Sequence, residues 1–289
     1  MVNKIIVGSA NFDQQYGVKK NFIKKNEIKK LFNLAAKNKI KVIDTSPLYK
    51  ESEKIIGQIN NNRFKVISKI PKKPKNIKKK EIVDWLKKSA INSLANLKIK
   101  KFECLLLQDA NSLLSKNGKE IYKGMRSIKK SEITSKIGIS IYDFKTLGQI
   151  IKRFKFDLVQ APLNIFDQRL IETGWLNKLK KRKIEVHVRS IFLQGILLLG
   201  RDQLPKKIKK FDRDWIKWEN WLKLKNLKAL QACSLFIFNQ NKLDGVVIGF
   251  NNQNQLNQIL KIQKMKNFVS EFDLNIKNNK LKDPRKWAN

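Results

Sequence analysis

The stretch KVIDTSPLYKESEKIIGQINNNRFKVISK, residues 41–69, holds the pattern from which the fold follows. Val42-Ile43 is a β-branched apolar pair that stops at Asp44, residues 52–59 carry apolar positions at helical spacing, and Val66-Ile67 starts a second apolar run that stops at Lys69. A strand, a helix and a strand in that order form a βαβ unit, whose strands must lie parallel because the helix carries the chain back to the starting edge.

The same alternation continues outward in both directions. Strands are expected at residues 5–10, 41–45, 64–69, 102–108, 136–140, 158–162, 185–191 and 245–249, and helices at 27–38, 52–59, 81–97, 121–130, 142–153, 173–182, 215–233 and 253–263. Strict alternation gives a parallel α/β sheet with right-handed crossovers, and eight units close into a (β/α)8 TIM-type barrel more readily than they stay open. A doubly wound open sheet would usually carry a Gly-rich fingerprint after its first strand, and Gly8-Ser9-Ala10-Asn11-Phe12 does not supply one. Residues 71–80, rich in lysine and proline, fall inside a βα unit and read as a solvated loop, and 200–214 as a longer one. No linker divides the chain, so the expectation is one domain over residues 1–289, with the barrel over about 1–265 and a tail over about 266–289.

A chain of 289 residues is long enough to bury a large core. Cys104 and Cys233 cannot build a disulfide framework for that length and read as buried free thiols, which suits a reducing cytoplasm. The start, Met1-Val2-Asn3-Lys4-Ile5-Ile6-Val7-Gly8, lacks a signal-peptide apolar region, and no run is long enough to span a bilayer. The expected location is cytoplasmic. Lys and Arg total 63 against 24 Asp and Glu, a net charge of +39. Alone, that points to a nucleic-acid or anionic-membrane partner. The lysines, however, are spread from Lys4 to Lys286 and accompany many asparagines and isoleucines, which favours a compositional origin in A/T-rich codons over selection for a polyanion. Such a field would still draw anionic substrates and phosphate-bearing cofactors toward a cleft. No Cys/His spacing fits a metal, and neither a nucleophile elbow nor a P-loop is present.

In a barrel of this type the active site lies at the C-terminal ends of the strands. Asp44, Lys69 and Gln108 end the second, third and fourth, and Tyr49 follows on the loop after Asp44. A free phenol has a pKa of about 10, so a tyrosine acting as a general acid gains from a neighbouring ammonium that stabilises phenolate. Lys69 is positioned to supply that charge, and Asp44 to hold Lys69. Each residue taken singly has a plainer reading: a turn cap, one lysine among many, a rim aromatic. Their convergence at successive strand ends favours a site. His187 lies two residues before Arg189 on one strand face and reads as a buried structural histidine. Trp215, Trp218 and Trp221, spaced by three, share one helical face and read as core or loop-covering packing rather than a stacking surface for nucleic acid.

The residues also resemble the aldo/keto reductase family, whose members are (β/α)8 barrels that move hydride between NAD(P)H and a carbonyl. Gly8-Ser9-Ala10-Asn11-Phe12 with Tyr16-Gly17 is similar to the family's opening strand and loop, and Asp44-Thr45-Ser46-Pro47-Leu48-Tyr49 with Ser52-Glu53-Lys54-Ile55-Ile56-Gly57 to its most specific signature. Further on, Gly138-Ile139-Ser140, Val159-Gln160-Ala161-Pro162-Leu163-Asn164, the run from Val188 through Arg189 to Leu197 and the ending Asp283-Pro284-Arg285-Lys286-Trp287 resemble later family segments. The resemblance implies NADP(H) or NAD(H) as cofactor and a small-molecule carbonyl as substrate. It makes Tyr49 the general acid and Lys69 with Asp44 its tuning pair. Ser140 and Gln160 become hydrogen-bond partners of the carboxamide, and Arg189, Ser190, Gly249, Asn251, Asn252 and Gln255 further cofactor contacts.

Gly249 and Gln255 stand where the family usually has the Lys and Arg that hold a 2′-phosphate, and three positions nearer the nicotinamide and the carbonyl also depart from the family's pattern. Arg189 replaces an aromatic that stacks on the nicotinamide, although a guanidinium plane can also stack. Ile141 replaces an asparagine and removes a carboxamide contact. Gln108 replaces the histidine that orients the carbonyl; its NH2 can donate a hydrogen bond but cannot relay a proton. The expectation is reduction of an aldehyde or ketone, sugar-derived ones among the candidates, or the reverse oxidation, narrowed or slowed by about a few kcal/mol at position 108. The competing expectations are a catalytically impaired cofactor-binding barrel and a basic polyanion-binding protein.

Overall fold

The computed structural model describes residues 4–12, 15–18, 23–265, 274, 276 and 278–287. Its elements run β1 (Ile5–Gly8), α1 (Lys25–Lys37), β2 (Val42–Asp44), α2 (Ser52–Ile59), β3 (Lys65–Ile70), α3 (Ile82–Leu97), β4 (Phe102–Leu107) and α4 (Gly118–Lys130). They continue through β5 (Thr134–Ser140), α5 (Phe144–Arg153), β6 (Leu158–Pro162), α6 (Arg169–Glu172), α7 (Trp175–Lys181), β7 (Glu185–Arg189), α8 (Lys206–Lys209), α9 (Asp212–Leu224), α10 (Ala229–Phe238), β8 (Gly245–Gly249) and α11 (Gln253–Gln263). The strands pair in sequence order, all parallel, and β8 closes on β1, which makes the closed barrel that the alternation predicts.

Successive strand residues point to opposite faces, so the barrel has two cores. Outward-facing Val7, Ile43, Val66, Leu105, Val159 and Val188 pack under the surrounding helices. Inward-facing Ile6, Ile67, Cys104, Leu106 and Leu158 form a separate cluster with Val42 and Val247 against it. Because the period is two, the residue two places beyond each inner position also faces inward, at the C-terminal mouth. Asp44 follows Val42, Lys69 follows Ile67, Gln108 follows Leu106, Gln160 follows Leu158, and Gly249 follows Val247. The sheet's register therefore gathers the polar strand ends into one ring.

His187 is buried within this inner layer, and Gly245 leaves room for it. A Cβ on Gly245 would lie 2.7 Å from the His187 Cδ2 and 2.5 Å from Ile6 Cδ1. Cys104 and Cys233 are buried free thiols, as expected. Trp215, Trp218 and Trp221 are also buried, with Phe166 edge-on to both Trp215 and Trp218.

The expected helix over 215–233 is two helices. Asn226 has φ +50° and ends α9: its N–H donates to the Lys223 carbonyl (3.1 Å) and the Leu227 N–H to the Leu222 carbonyl (3.0 Å). That is the Schellman pattern, in which a left-handed residue closes a helix. The expected strand to 191 stops at Arg189, because Ser190 takes φ +61°. The loop over 200–214 contains a short helical turn at Arg201–Gln203, α8 and the start of α9. Half of the expected tail lies outside the described residues. Among the described residues, no helix is long and apolar enough to cross a membrane.

Candidate active site

The second βα unit builds the centre of the site. Past β2, the Thr45 N–H donates to the Ile67 carbonyl of β3 (2.9 Å), and a tight turn through Pro47 closes with the Tyr49 N–H on the Ser46 carbonyl (3.0 Å). The signature residues just beyond are scaffold. Ser52 Oγ donates to Ser9 Oγ (2.8 Å), and Ser68 Oγ donates to the buried Glu53 (2.7 Å), so α2 is tied to β1 and β3. Burial pushes the Glu53 carboxyl above its ordinary range.

At the ring itself, Lys69 Nζ donates to Asp44 Oδ1 (2.6 Å) and to the Thr45 carbonyl (2.7 Å). Gln160 Nε2 donates to the other carboxylate oxygen (2.8 Å). Asp44 and Lys69 are each only 3% exposed, and a buried charge pair persists when its remaining valences are hydrogen-bonded in this way. Lys69 Nζ lies 5.4 Å from the centre of the Tyr49 ring. The expectation that Lys69 would pull the Tyr49 hydroxyl down is corrected here. Burial, followed by the Asp44 charge, pushes it above the usual phenol range, and the opposing cation is Arg189.

Asp44, Tyr49, Lys69 and Gln108 open onto a cavity of about 700 Å3, whose wall also includes Ser140, Arg189, Ser190, Gly249, Asn251 and Gln255. The structure thus brings together all four expected catalytic residues and six of the eight expected cofactor residues. Gln160 is fully buried beneath the wall, and Asn252 is off it. The Asn252 side chain instead caps α11 by accepting from the Gln255 N–H (3.0 Å), and Gln255 Oε1 accepts from the Asn251 N–H (2.8 Å). Their side chains build the turn before a phosphate could reach them. The first-turn amides of α11 remain as the anion-holding feature. His187 is likewise absent from the wall, and burial lowers its pKa, as suits a neutral structural imidazole.

Sequence reasoning missed two residues. Ser46 Oγ donates to Gln108 Oε1 (3.0 Å) while accepting from the Leu48 N–H (3.2 Å), which leaves the Gln108 NH2 as the end free to meet a ligand. Tyr142 stands in the β5–α5 loop rather than in the helix expected from 142, because Asp143 is the N-cap and accepts from the Lys145 and Thr146 N–H groups. The Asp143 cap was a readable signal. The Arg189 guanidinium carbon sits 3.9 Å from the Tyr142 ring centre, and that of Arg285 3.8 Å from the same centre.

The wall fits a nicotinamide dinucleotide in its donors and its space. Gln160 Oε1 is buried without a partner, next to Ser140 at the neighbouring strand end, so a carboxamide N–H would find an acceptor there. Next to α11, a Cβ on Gly249 would meet nothing nearer than 3.8 Å, leaving an open approach to that helix start.

Residues 4–275 match the family model described as "Aldo/keto reductase family". Among solved structures, the chain is similar to the holo form of an aldo-keto reductase from Bacillus halodurans, with TM-score 0.69 and 15% identity over 91% of this chain and 87% of that one. It is similar also to a glycerol dehydrogenase from Gluconobacter oxydans, with TM-score 0.68 and 17% identity over 91% of this chain and 87% of that one. No curated protein matches.

Proposed function

The chain belongs to the aldo/keto reductase family of NAD(P)-dependent oxidoreductases, and from that premise we propose that it reduces an aldehyde or ketone with Tyr49 as proton donor. The observation that carries this reading is the convergence of Tyr49, Gln108 and the Lys69–Asp44 pair on one cavity wall. The nicotinamide cofactor supplies the hydride when bound, with Ser140, Gln160 and the start of α11 as its holding residues.

The chain's own groups supply the rest. The Tyr49 hydroxyl, its pKa raised, is fully protonated at neutral pH and gives its proton to the carbonyl oxygen as negative charge develops there. The Gln108 NH2, oriented by Ser46, donates a hydrogen bond to that oxygen and holds it in line. Lys69, anchored by Asp44 and the Thr45 carbonyl, fixes the floor beneath the Tyr49 ring and limits where the phenol can lie.

NADPH oxidation against an aldehyde panel, on the natural chain and on Tyr49→Phe, tests the assignment. A positioned general acid contributes about 10²–10⁴-fold, so the variant should lose at least about a hundredfold in kcat. Equal activity would remove Tyr49 from the mechanism.

A further inference from the structure

We propose that Arg189 anchors an anionic group of the substrate, so that the carbonyl compounds this site favours carry a carboxylate or a phosphate near the carbonyl carbon. The inference rests on the carbonyl-reducing function proposed above and names its substrate class.

The argument begins with charge. Asp44 is the one carboxylate on the cavity wall among the described residues, and Lys69 already neutralises it. Arg189 and Lys228 are also on that wall, and no carboxylate among the described residues lies within ion-pair distance of Arg189. Its partners among the described residues are neutral: the Ile141 carbonyl (2.9 Å), the Ser190 hydroxyl (3.4 Å) and the Tyr142 ring. A half-buried charge without a counter-ion is unfavourable unless something supplies one, and an anionic ligand entering the cavity is one such source.

The group is also built to stay in place. Its plane lies against Tyr142, and Arg285 lies at 3.8 Å from the same ring. Two guanidinium groups that near one ring centre cannot share a face without overlap, so Tyr142 is held between them. Arg285 has its own counter-ion, since Asp283 accepts from its Nε (2.9 Å) and a terminal nitrogen (2.7 Å), whereas Arg189 has none among the described residues. Two of the five guanidinium N–H groups meet described residues, and a two-point contact with an oxyanion needs only two of the others. Arg189 ends β7 at the mouth of the barrel and lines the same cavity wall as Tyr49, so an anion held there shares the cavity with the reacting carbonyl.

The dinucleotide's own diphosphate is the second source of the same chemistry, so the test separates the two. On the full chain, kcat/KM with NADPH is measured for succinic semialdehyde against butanal, and for glyceraldehyde 3-phosphate against glyceraldehyde, in the natural protein and in Arg189→Gln. A charge-assisted contact corresponds to a preference of about 30-fold for the anionic member, which Arg189→Gln should reduce to about threefold or less. The ratio is taken within one protein, so altered cofactor affinity cancels. A ratio near one in the natural protein overturns the proposal. So does a variant that binds NADPH more weakly by tryptophan fluorescence yet keeps the natural ratio, because the guanidinium would then serve the diphosphate. Turnover of no aldehyde at all would count against the carbonyl-reducing function instead. In that event thermal stabilisation by succinate over sodium chloride at equal ionic strength decides: present in the natural protein and lost in Arg189→Gln supports the anion site, and absent in both overturns it.

Discussion

Replacing Asp44 tests the buried network at its centre, and the structure sets the size of the effect. Asp44 is 3% exposed and takes hydrogen bonds from Lys69 (2.6 Å) and Gln160 (2.8 Å). Removing one member of a buried ion pair costs about 3–5 kcal/mol. In Asp44→Asn the side-chain oxygen still accepts from Lys69, but the new NH2 faces the Gln160 NH2. Turning the Gln160 amide over resolves the clash, because its Oε1 is at present without a partner and would accept from the new donor. Asp44→Asn therefore loses the charge and keeps the hydrogen bonds, and its cost should be near the lower limit, about 3 kcal/mol. Asp44→Ala strands both donors and should cost about 5 kcal/mol or more. With an unfolding entropy of about 2.1 cal/mol/K per residue, 289 residues give about 0.6 kcal/mol/K, so Tm should fall by about 5 °C and 8 °C respectively. Urea unfolding followed by fluorescence of the buried tryptophans measures both. Indistinguishable variants would refute the Gln160 rearrangement, and an Asp44→Asn protein within about 1 kcal/mol of the natural one would refute the buried pair's role altogether.

Three further outcomes follow from the geometry. His187 is held neutral by burial, so its folded pKa lies below the unfolded value of about 6.5; the stability it contributes is present above that value and is lost as pH falls through the folded pKa, a slope that His187→Gln should flatten in unfolding experiments between pH 7 and 5. Gly245→Ala places a Cβ 2.5 Å from Ile6 and 2.7 Å from His187 in the inner barrel layer, and should cost about 1–3 kcal/mol by the same urea measurement. Neither Asn252 nor Gln255 offers a charge to a 2′-phosphate, and their side chains are already hydrogen-bonded within the turn, so NADH and NADPH should bind within about tenfold of each other, a difference of about 1.4 kcal/mol, by fluorescence titration.

Much of the barrel could be read from the sequence because its signals are local. β-branched runs bounded by polar residues mark strands, and the period of two carries a polar strand end two places beyond an inner apolar residue: Val42 to Asp44, Ile67 to Lys69, Leu106 to Gln108. The errors arose where one residue's backbone decides the outcome. The apolar period runs on through Asn226, whose left-handed conformation nevertheless ends α9, and through Ser190, whose positive φ ends β7. The positions of Asn252 and Gln255 were identifiable, but not their commitment to the α11 cap, which depends on both side chains accepting from backbone N–H groups of one turn. Tyr142 and Ser46 were missed because their partners, Arg189 and Gln108, are brought to them only by the closed sheet.

In the proposed reaction, the electrostatics of the mouth bear on what a glutamine at position 108 has to do. A phenol of ordinary pKa about 10 is already protonated at neutral pH, and burial with the Asp44 charge pushes Tyr49 higher still, so in the proposed reaction the donor holds its proton before the first transfer. The remaining requirement at position 108 is a fixed hydrogen-bond donor. Ser46 meets it: its hydroxyl accepts from the Leu48 N–H and donates to Gln108 Oε1, so the amide presents its NH2 rather than its oxygen to the cavity. An amide so oriented gives direction to a carbonyl without responding to pH, whereas an imidazole there would add a titration near pH 6.5. Gln108→His should therefore introduce a new inflection in the pH profile of kcat in that region. Failure of any inflection to appear, with activity retained, would mean that position 108 does not face the reacting oxygen.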